Sequence, residues 1–247
     1  MKQAIITGAS KGLGKALAIE MASRGYETLL VARSAPLLEA LALEISEQFK
    51  IKAHTLALDL GQATSAQVIR EWCDGVSFQP SVLINNAGYA CWGYFHSLPL
   101  NSQLHMLDLN VQGMVSLTHR MLPLLQQQQQ AYVLNVCSTS AYQAVPTMTL
   151  YAASKAFVRS FSRGLRYELR GGPVSVTCLS PGPMSTNFIT EAKMQVIKLI
   201  CTPSNEKAPS ITVGPQSAES TIFQAPRFPV PQTKNHNIKE TSIKLMP

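Results

Sequence analysis

Tyr151 and Lys155 stand four residues apart in the run Tyr151-Ala152-Ala153-Ser154-Lys155. On a helix that spacing puts both side chains on one face. A free phenol has a pKa near ~10 and is a poor base at neutral pH. A neighbouring ammonium favours its ionised form. A phenol so placed can give a proton to a developing alkoxide or take one from an alcohol. The spacing alone is commonplace and mostly structural, so its value depends on what surrounds it. Three hydroxyls, Ser138, Thr139 and Ser140, follow the short apolar run from Tyr132 to Val136. A hydroxyl there is placed to hold a carbonyl oxygen and to stabilise charge on it in a transition state.

A second chemical feature lies near the start of the chain. Thr7-Gly8-Ala9-Ser10-Lys11-Gly12-Leu13-Gly14 connects an apolar strand to a helical pattern. Glycines let backbone approach a pyrophosphate, and a helix N-terminus offers N–H donors and a positive dipole. The bland reading is a tight turn; the position after the first strand favours a dinucleotide. An acid closing the second strand would hold the 2′-hydroxyl of NAD. The sequence there is Val31-Ala32-Arg33-Ser34, with no acid. Arg33 offers a planar fork to a 2′-phosphate, and Lys11 adds a second cation. Ordinary surface cations are the alternative. The expectation is NADP(H).

These residues need a scaffold, and the hydrophobic pattern supplies one. Short apolar strands are expected at Ala4 to Ile6, Thr28 to Val31, His54 to Leu58, Val82 to Ile84, Tyr132 to Val136 and Val174 to Cys178. Helical periodicity runs from Leu13 to Arg24, closed by Gly25, and from Pro36 to Phe49. It returns from Gln67 to Trp72, in one long helix from Leu104 to Leu125 that tolerates Gly113 and Pro123, and from Tyr151 to Leu169. Strands alternating with helices make parallel βαβ units and a doubly wound α/β sheet. Ligands of such sheets bind beyond the carboxyl ends of the strands, where every motif above falls.

The glycine spacing departs from the common Gly-x-Gly-x-x-Gly fingerprint and resembles the ordinary, non-extended branch of the short-chain dehydrogenase/reductase family. Asn85-Asn86-Ala87-Gly88 after the fourth strand is similar to the family's signature there, which steadies the sheet and borders the cofactor. Ser138, thirteen residues before Tyr151, has the family's spacing for the carbonyl-binding serine. Asn110 matches the helix asparagine that supports a water-linked proton relay to the lysine. The resemblance thus implies a catalytic tetrad of Asn110, Ser138, Tyr151 and Lys155, with Lys155 also holding the nicotinamide ribose. It further implies cofactor contacts from Thr7, Gly8, Ser10, Lys11, Gly12, Leu13 and Gly14, from Arg33, and from Asn86, Ala87 and Gly88. Asp59 and Leu60 match the adenine-contacting pair, although an Asp after a strand often only caps a turn. Pro181 and Gly182 match the segment that closes over the nicotinamide, with Thr186 bonding the carboxamide.

The implied fold is a Rossmann-like doubly wound parallel sheet in three layers, a catalytic domain over residues 1–190. Residues 191–247 form a divergent, proline-interrupted tail expected to be largely irregular, without a convincing seventh strand. The implied activity is hydride transfer between the nicotinamide and a carbonyl or alcohol substrate, resembling 3-oxoacyl reductases and hydroxysteroid dehydrogenase relatives. The competing expectation is a protein of the same fold that binds the nucleotide without turnover, as a regulator or sensor.

Composition narrows the partners. The net charge of +7 comes from scattered cations, not a basic block, so no nucleic-acid partner is expected. No apolar run reaches the ~20 residues a membrane span needs. Five cysteines without a Cys-x-x-Cys pair suggest reduced thiols in a cytoplasmic protein, with neither disulfide framework nor zinc site. The five histidines show no metal spacing. Cys91, Trp92, Tyr94 and Phe95 form either a substrate wall or a packed loop. Cys137 reads as a buried apolar residue, Trp72 as core. A homodimer or homotetramer is expected.

Overall fold

The computed structural model describes residues 2–182. The expected boundary at residue 190, the tail beyond it, Cys201 and Thr186 lie outside these residues. The described chain runs β1 (Lys2–Thr7), α1 (Gly12–Ser23), β2 (Tyr26–Ala32), α2 (Ala35–Phe49), β3 (Ala53–Ala57), α3 (Ser65–Gly75) and β4 (Val82–Asn85). It continues with α4 (Leu100–Leu107), a π-helical turn (Asp108–Gly113), α5 (Met114–Gln126), β5 (Ala131–Val136), α6 (Thr149–Glu168) and β6 (Val174–Leu179).

The six strands form one parallel sheet in the order β3-β2-β1-β4-β5-β6. The order reverses between β1 and β4, which makes their carboxyl ends the crevice of a doubly wound sheet. Parallel strands buried on both faces read as near-continuous apolar runs, and Ala4-Ile5-Ile6-Thr7 is buried throughout. Alternate residues then feed opposite layers. Ile5 pairs in register with Leu29 and Leu83, Leu83 with Val133, and Val133 with Val176. This row packs on Ile69 and Cys73 of α3 and on Leu117 and Met121 of α5, with Leu165 of α6 at its margin. Ala4, Ile6, Leu30 and Ile84 face the other way, onto Ala18 and Ala22 of α1 and Leu38, Leu41 and Ile45 of α2. The expected three layers are present.

One expectation needs correcting. The segment from Leu104 to Leu125 is not a single α-helix, because residues Asp108–Gly113 widen into a π turn between α4 and α5. Gly113 shows the packing behind it: a Cβ there would overlap the Leu60 carbonyl oxygen. The extra residue in the turn rotates Asn110 inward, and π turns of this kind recur at functional sites. The helical stretch also begins earlier, at Leu100.

Trp72 is half-buried at the core margin, its ring edge-on to His54 at 5.0 Å. Cys73, Cys91, Cys137 and Cys178 are free thiols. Among the described residues no helix is long and apolar enough to cross a membrane, and no cluster of side chains could hold a metal ion.

Candidate active site

The glycine loop is held from two sides. The Thr7 hydroxyl donates to the Ile84 carbonyl at 3.1 Å and accepts the N–H groups of Asn86 at 2.9 Å and Ala87 at 3.0 Å. The Asn86 amide donates in turn to the Thr7 and Gly8 carbonyls at 2.9 and 3.2 Å. The Thr7 side chain and Asn86 therefore lock the loop to the end of β4. Gly8 has φ +64°, and a Cβ on it would lie 2.9 Å from the Ala87 backbone. A Cβ on Gly14 would overlap the Gly8 carbonyl oxygen. The glycines let loop, helix and β4 close on one another.

α1 starts at Gly12 from an extended Lys11, with no side-chain cap and no acid in its first turn. Its terminal N–H groups form an uncapped donor set, the chemistry an anionic pyrophosphate requires. Arg33 is exposed where β2 ends, and its charge reaches the Tyr89 phenol. The residues present fit a phosphorylated dinucleotide.

Asp59 follows β3 as expected, but its carboxylate is engaged. One oxygen accepts the Gly61 N–H at 2.9 Å; the other faces His105 Nε2 at 3.1 Å. His105 Nδ1 meets the Tyr89 hydroxyl at 3.0 Å, and that hydroxyl donates to the Ser102 carbonyl at 3.0 Å. The Leu60 side chain is buried in the core beside α3 and α5, and its carbonyl packs against Gly113 of the π turn. The sequence reading treated His105 as an ordinary histidine and did not single out Tyr89. No local pattern marks them, since the contacts join three separate segments.

The tetrad converges at the ends of β4 and β5. Ser138 leaves β5 in extended backbone, and its Oγ accepts the Ser140 N–H at 3.1 Å. The same hydroxyl is near enough to the Tyr151 phenol to lower its pKa. Of the three candidate hydroxyls, Ser138 is the one so placed. Lys155 is buried on the same face of α6 as Tyr151, with Nζ 5.8 Å from the phenol ring centre and donating to the Val136 carbonyl at 2.9 Å. Asn110, in the π turn, accepts the Tyr89 N–H at 3.1 Å and donates to the Tyr89 carbonyl at 3.0 Å and to Ser154 Oγ at 3.2 Å. A Cβ on Gly88 would sit 2.8 Å from Asn110 Oδ1 and 3.5 Å from Lys155 Nζ, so Gly88 is where these two groups meet. Pro181 accepts the Thr139 N–H at 3.1 Å, which brings the Pro181-Gly182 segment beside Ser138.

The electrostatics differ from the simplest sequence argument. Burial pushes the Tyr151 phenol above its ordinary pKa, and the Ser138 hydroxyl is what opposes it. Burial pushes Lys155 down to about 8. Lysine and tyrosine share a face of α6, but the ammonium reaches back to β5 instead of touching the phenol oxygen.

Around this centre the neighbouring side chains are apolar. Ala90, Met106, Met148 and Tyr151 form a buried cluster, with Cys91, Trp92, Val145 and Leu150 half-buried against it. Tyr94 and Phe95 remain exposed. Cys137 is buried, its thiol donating to the Lys155 carbonyl at 3.1 Å, in keeping with a structural residue. The sequence reading missed the polar stripe Ser154 and Ser162 on the buried face of α6. Ser162 accepts from Asn135, which accepts from Asn85, and Asn85 also donates to Thr118. The signal was present: Tyr151, Ser154, Lys155, Val158 and Ser162 share one helical face.

Residues 2–196 match the family model for short chain dehydrogenases. The chain belongs to the short chain dehydrogenase family. Similar family members include hydroxysteroid dehydrogenase-like protein 1 of Gallus gallus, 31% identical over 207 residues, or 83% of this chain and 62% of that protein. The very-long-chain 3-oxoacyl-CoA reductase of Anas platyrhynchos is 34% identical over 190 residues, 75% of this chain and 60% of that protein. This short chain dehydrogenase thus spans about three fifths of the length of those curated relatives. Among solved structures, a short-chain dehydrogenase from Sphingobium yanoikuyae in complex with NADPH superposes with a TM-score of 0.76. It is 28% identical, over 81% of this chain and 78% of that one.

Proposed function

We propose that the protein is an NADP(H)-dependent oxidoreductase that moves hydride between the nicotinamide and a carbonyl or alcohol substrate. The observation that carries this reading is the buried Tyr151 phenol with Lys155 on the same helical face and Ser138 beside it, at the strand ends that hold the glycine loop. The likeness to a short-chain dehydrogenase solved with NADPH and to a very-long-chain 3-oxoacyl-CoA reductase supports it.

The cofactor, when bound, supplies or accepts the hydride. The chain's own residues do the rest. The uncapped start of α1 would hold the pyrophosphate, and Arg33 with Lys11 would hold the 2′-phosphate. Asn86, Ala87 and Gly88 border the cofactor through the backbone that Thr7 and Asn110 hold in place. The Ser138 hydroxyl holds the substrate oxygen and stabilises the charge that grows on it. The Tyr151 hydroxyl gives its proton to that oxygen in reduction and takes it back in oxidation. Burial keeps the phenol protonated at neutral pH, which suits the donor role. Lys155 and Asn110 lie behind it, around Gly88, where a proton can be replaced.

The test is NADPH oxidation over a panel of 3-oxoacyl thioesters, ketosteroids, sugars and simple aldehydes. Tyr151→Phe serves as the control, since it deletes the proton-bearing oxygen and little volume. Turnover by the wild type and its loss in the variant, by about a hundredfold or more at unchanged NADPH affinity, is the expected result. Near-normal activity of Tyr151→Phe would place the proton elsewhere. Tight NADPH binding without oxidation across the panel would favour the non-catalytic reading.

A further inference from the structure

Three non-glycine residues among those described have positive φ, and Thr147, at +65°, is the β-branched one. A branched Cβ is strongly disfavoured in the left-handed region. Such a conformation persists when its surroundings over-determine it, and it clusters at functional sites. Thr147 is held at three points. Its Oγ accepts the Trp92 indole N–H at 2.6 Å, and its carbonyl accepts the Gly93 N–H at 2.8 Å. Its hydroxyl proton goes to the Pro146 carbonyl at 2.5 Å, which aims the lone pairs at Trp92.

The two segments that Thr147 joins flank the phenol. Residues Ala90, Cys91 and Trp92 come from the stretch after Gly88; Val145 and Met148 come from the stretch just before α6. All five pack in the cluster that contains Tyr151. Met148 is also the residue from which α6 starts, three positions before Tyr151. The position of the Trp92 indole is therefore set by a residue in the lead-in to the catalytic helix. Trp92 is half-buried, so part of it stays accessible while it packs in the cluster that contains Tyr151.

On the oxidoreductase reading above, we propose that Thr147 is a specificity-determining residue. It clasps Trp92 across the apolar side of the site and so limits the bulk a substrate carries on its carbonyl carbon. Slender or flat apolar substituents fit under the clasped indole; branched ones require it to swing away.

The experiment compares kcat and KM for methyl pentyl ketone and phenyl tert-butyl ketone with NADPH. Thr147→Val keeps the branched shape but removes the acceptor for the indole N–H. It is expected to raise the ratio of kcat/KM for the bulky over the slender ketone about fivefold, the scale of one neutral hydrogen bond. The change should appear in KM, with NADPH affinity unchanged. Thr147→Ser, which restores the acceptor, should return the ratio to that of the wild type. Trp92→Phe, which deletes the N–H and leaves Thr147 intact, should reproduce the effect of Thr147→Val without adding to it in the double variant. The indole emission of Trp92 should shift in Thr147→Val and not in Thr147→Ser. An unchanged ratio in Thr147→Val and Trp92→Phe, in an active enzyme, overturns the clasp alone. A parallel loss for both ketones together with weaker NADPH binding would make Thr147 a structural support and also overturns it. Absence of wild-type turnover with both ketones overturns this proposal; absence of turnover across the whole carbonyl panel overturns the oxidoreductase reading as well.

Discussion

Asn110 grips Tyr89 by both polar groups of its backbone, taking the N–H at 3.1 Å and giving to the carbonyl at 3.0 Å. Its amide also reaches Ser154, whose hydroxyl donates to the Tyr151 carbonyl at 2.7 Å. One side chain thus connects the segment after Gly88 to the helix that carries the phenol. Asn110→Ala leaves these buried partners unsatisfied. The expected cost is about 2 kcal/mol of folding stability, read as a lower Tm, and at least a tenfold loss in kcat. Asn110→Asp retains the acceptor toward the Tyr89 N–H but faces the Tyr89 carbonyl with oxygen. It should fall between the two. A variant with wild-type Tm and kcat would show that the clamp is dispensable.

Much of this arrangement is legible in the sequence. Buried parallel strands read as short apolar runs, and the glycine loop and the Tyr151–Lys155 spacing depend on neighbours in sequence. The π turn was not legible. The apolar period across Leu104 to Leu125 is the same with or without one added residue, and Gly113 was the sole trace. Cross-segment contacts were equally hidden. His105 meets Asp59 from 46 positions away, and Trp92 meets Thr147 from 55. Nothing local in either sequence stretch encodes the other. The sequence also suggested that Lys155 lowers the phenol pKa, because an i, i+4 pair shares a face. A long flexible side chain need not touch its neighbour, and this one bonds the Val136 carbonyl instead.

Arg33 ends β2 on the surface, where a carboxylate would stand if the 2′-hydroxyl of NAD were the intended ligand. Charge-assisted hydrogen bonds to a phosphate contribute about 1.5–3 kcal/mol. Arg33→Ala is therefore expected to weaken NADPH binding by about ten- to a hundredfold and to leave NADH binding nearly unchanged. Isothermal titration with both cofactors checks this. Equal affinity of the wild type for NADH and NADPH would remove the basis for the preference.

Lys155 is buried, and its pKa falls from an ordinary 10.5 to about 8 in the folded chain. Between those values the unfolded chain holds a proton that the folded one has released. Stability relative to a lysine-free variant therefore rises with pH across that window. Below about 8 both states are protonated, and the full penalty of burying the ammonium is felt. Chemical denaturation of wild type and Lys155→Met, without cofactor, should show their stability difference shifting toward the wild type as pH increases from 7 to 10. The upper bound is about 3 kcal/mol. Taking the difference removes the opposing contributions of Tyr151 and Cys73, whose raised pKa values cost stability at high pH in both proteins. A difference that is flat in pH would mean Lys155 stays solvated or paired.

Ser138, Thr139 and Ser140 offer three adjacent hydroxyls, and geometry separates their roles. The Ser138 hydroxyl lies beside the Tyr151 phenol and lowers its pKa against the effect of burial. It also accepts the Ser140 N–H and so starts the short helical turn Thr139–Tyr142. Ser140 Oγ meets Ser138 Oγ at 3.2 Å and steadies it. If Ser138 holds the substrate oxygen, Ser138→Ala should lower kcat by about a hundred- to a thousandfold, the usual effect of removing one such donor. It should also raise the phenol pKa further, moving the acid limb of the oxidation reaction's pH profile upward, since oxidation needs the phenolate. Ser140→Ala deletes only the supporting contact, and its loss should stay within about fivefold. Thr139→Ala serves as the control, since this reading gives it no part in the chemistry. The pH profile separates chemistry from simple misfolding, because a damaged turn would lower activity at every pH without moving the limb. A larger effect from Ser140→Ala than from Ser138→Ala would reverse the two roles.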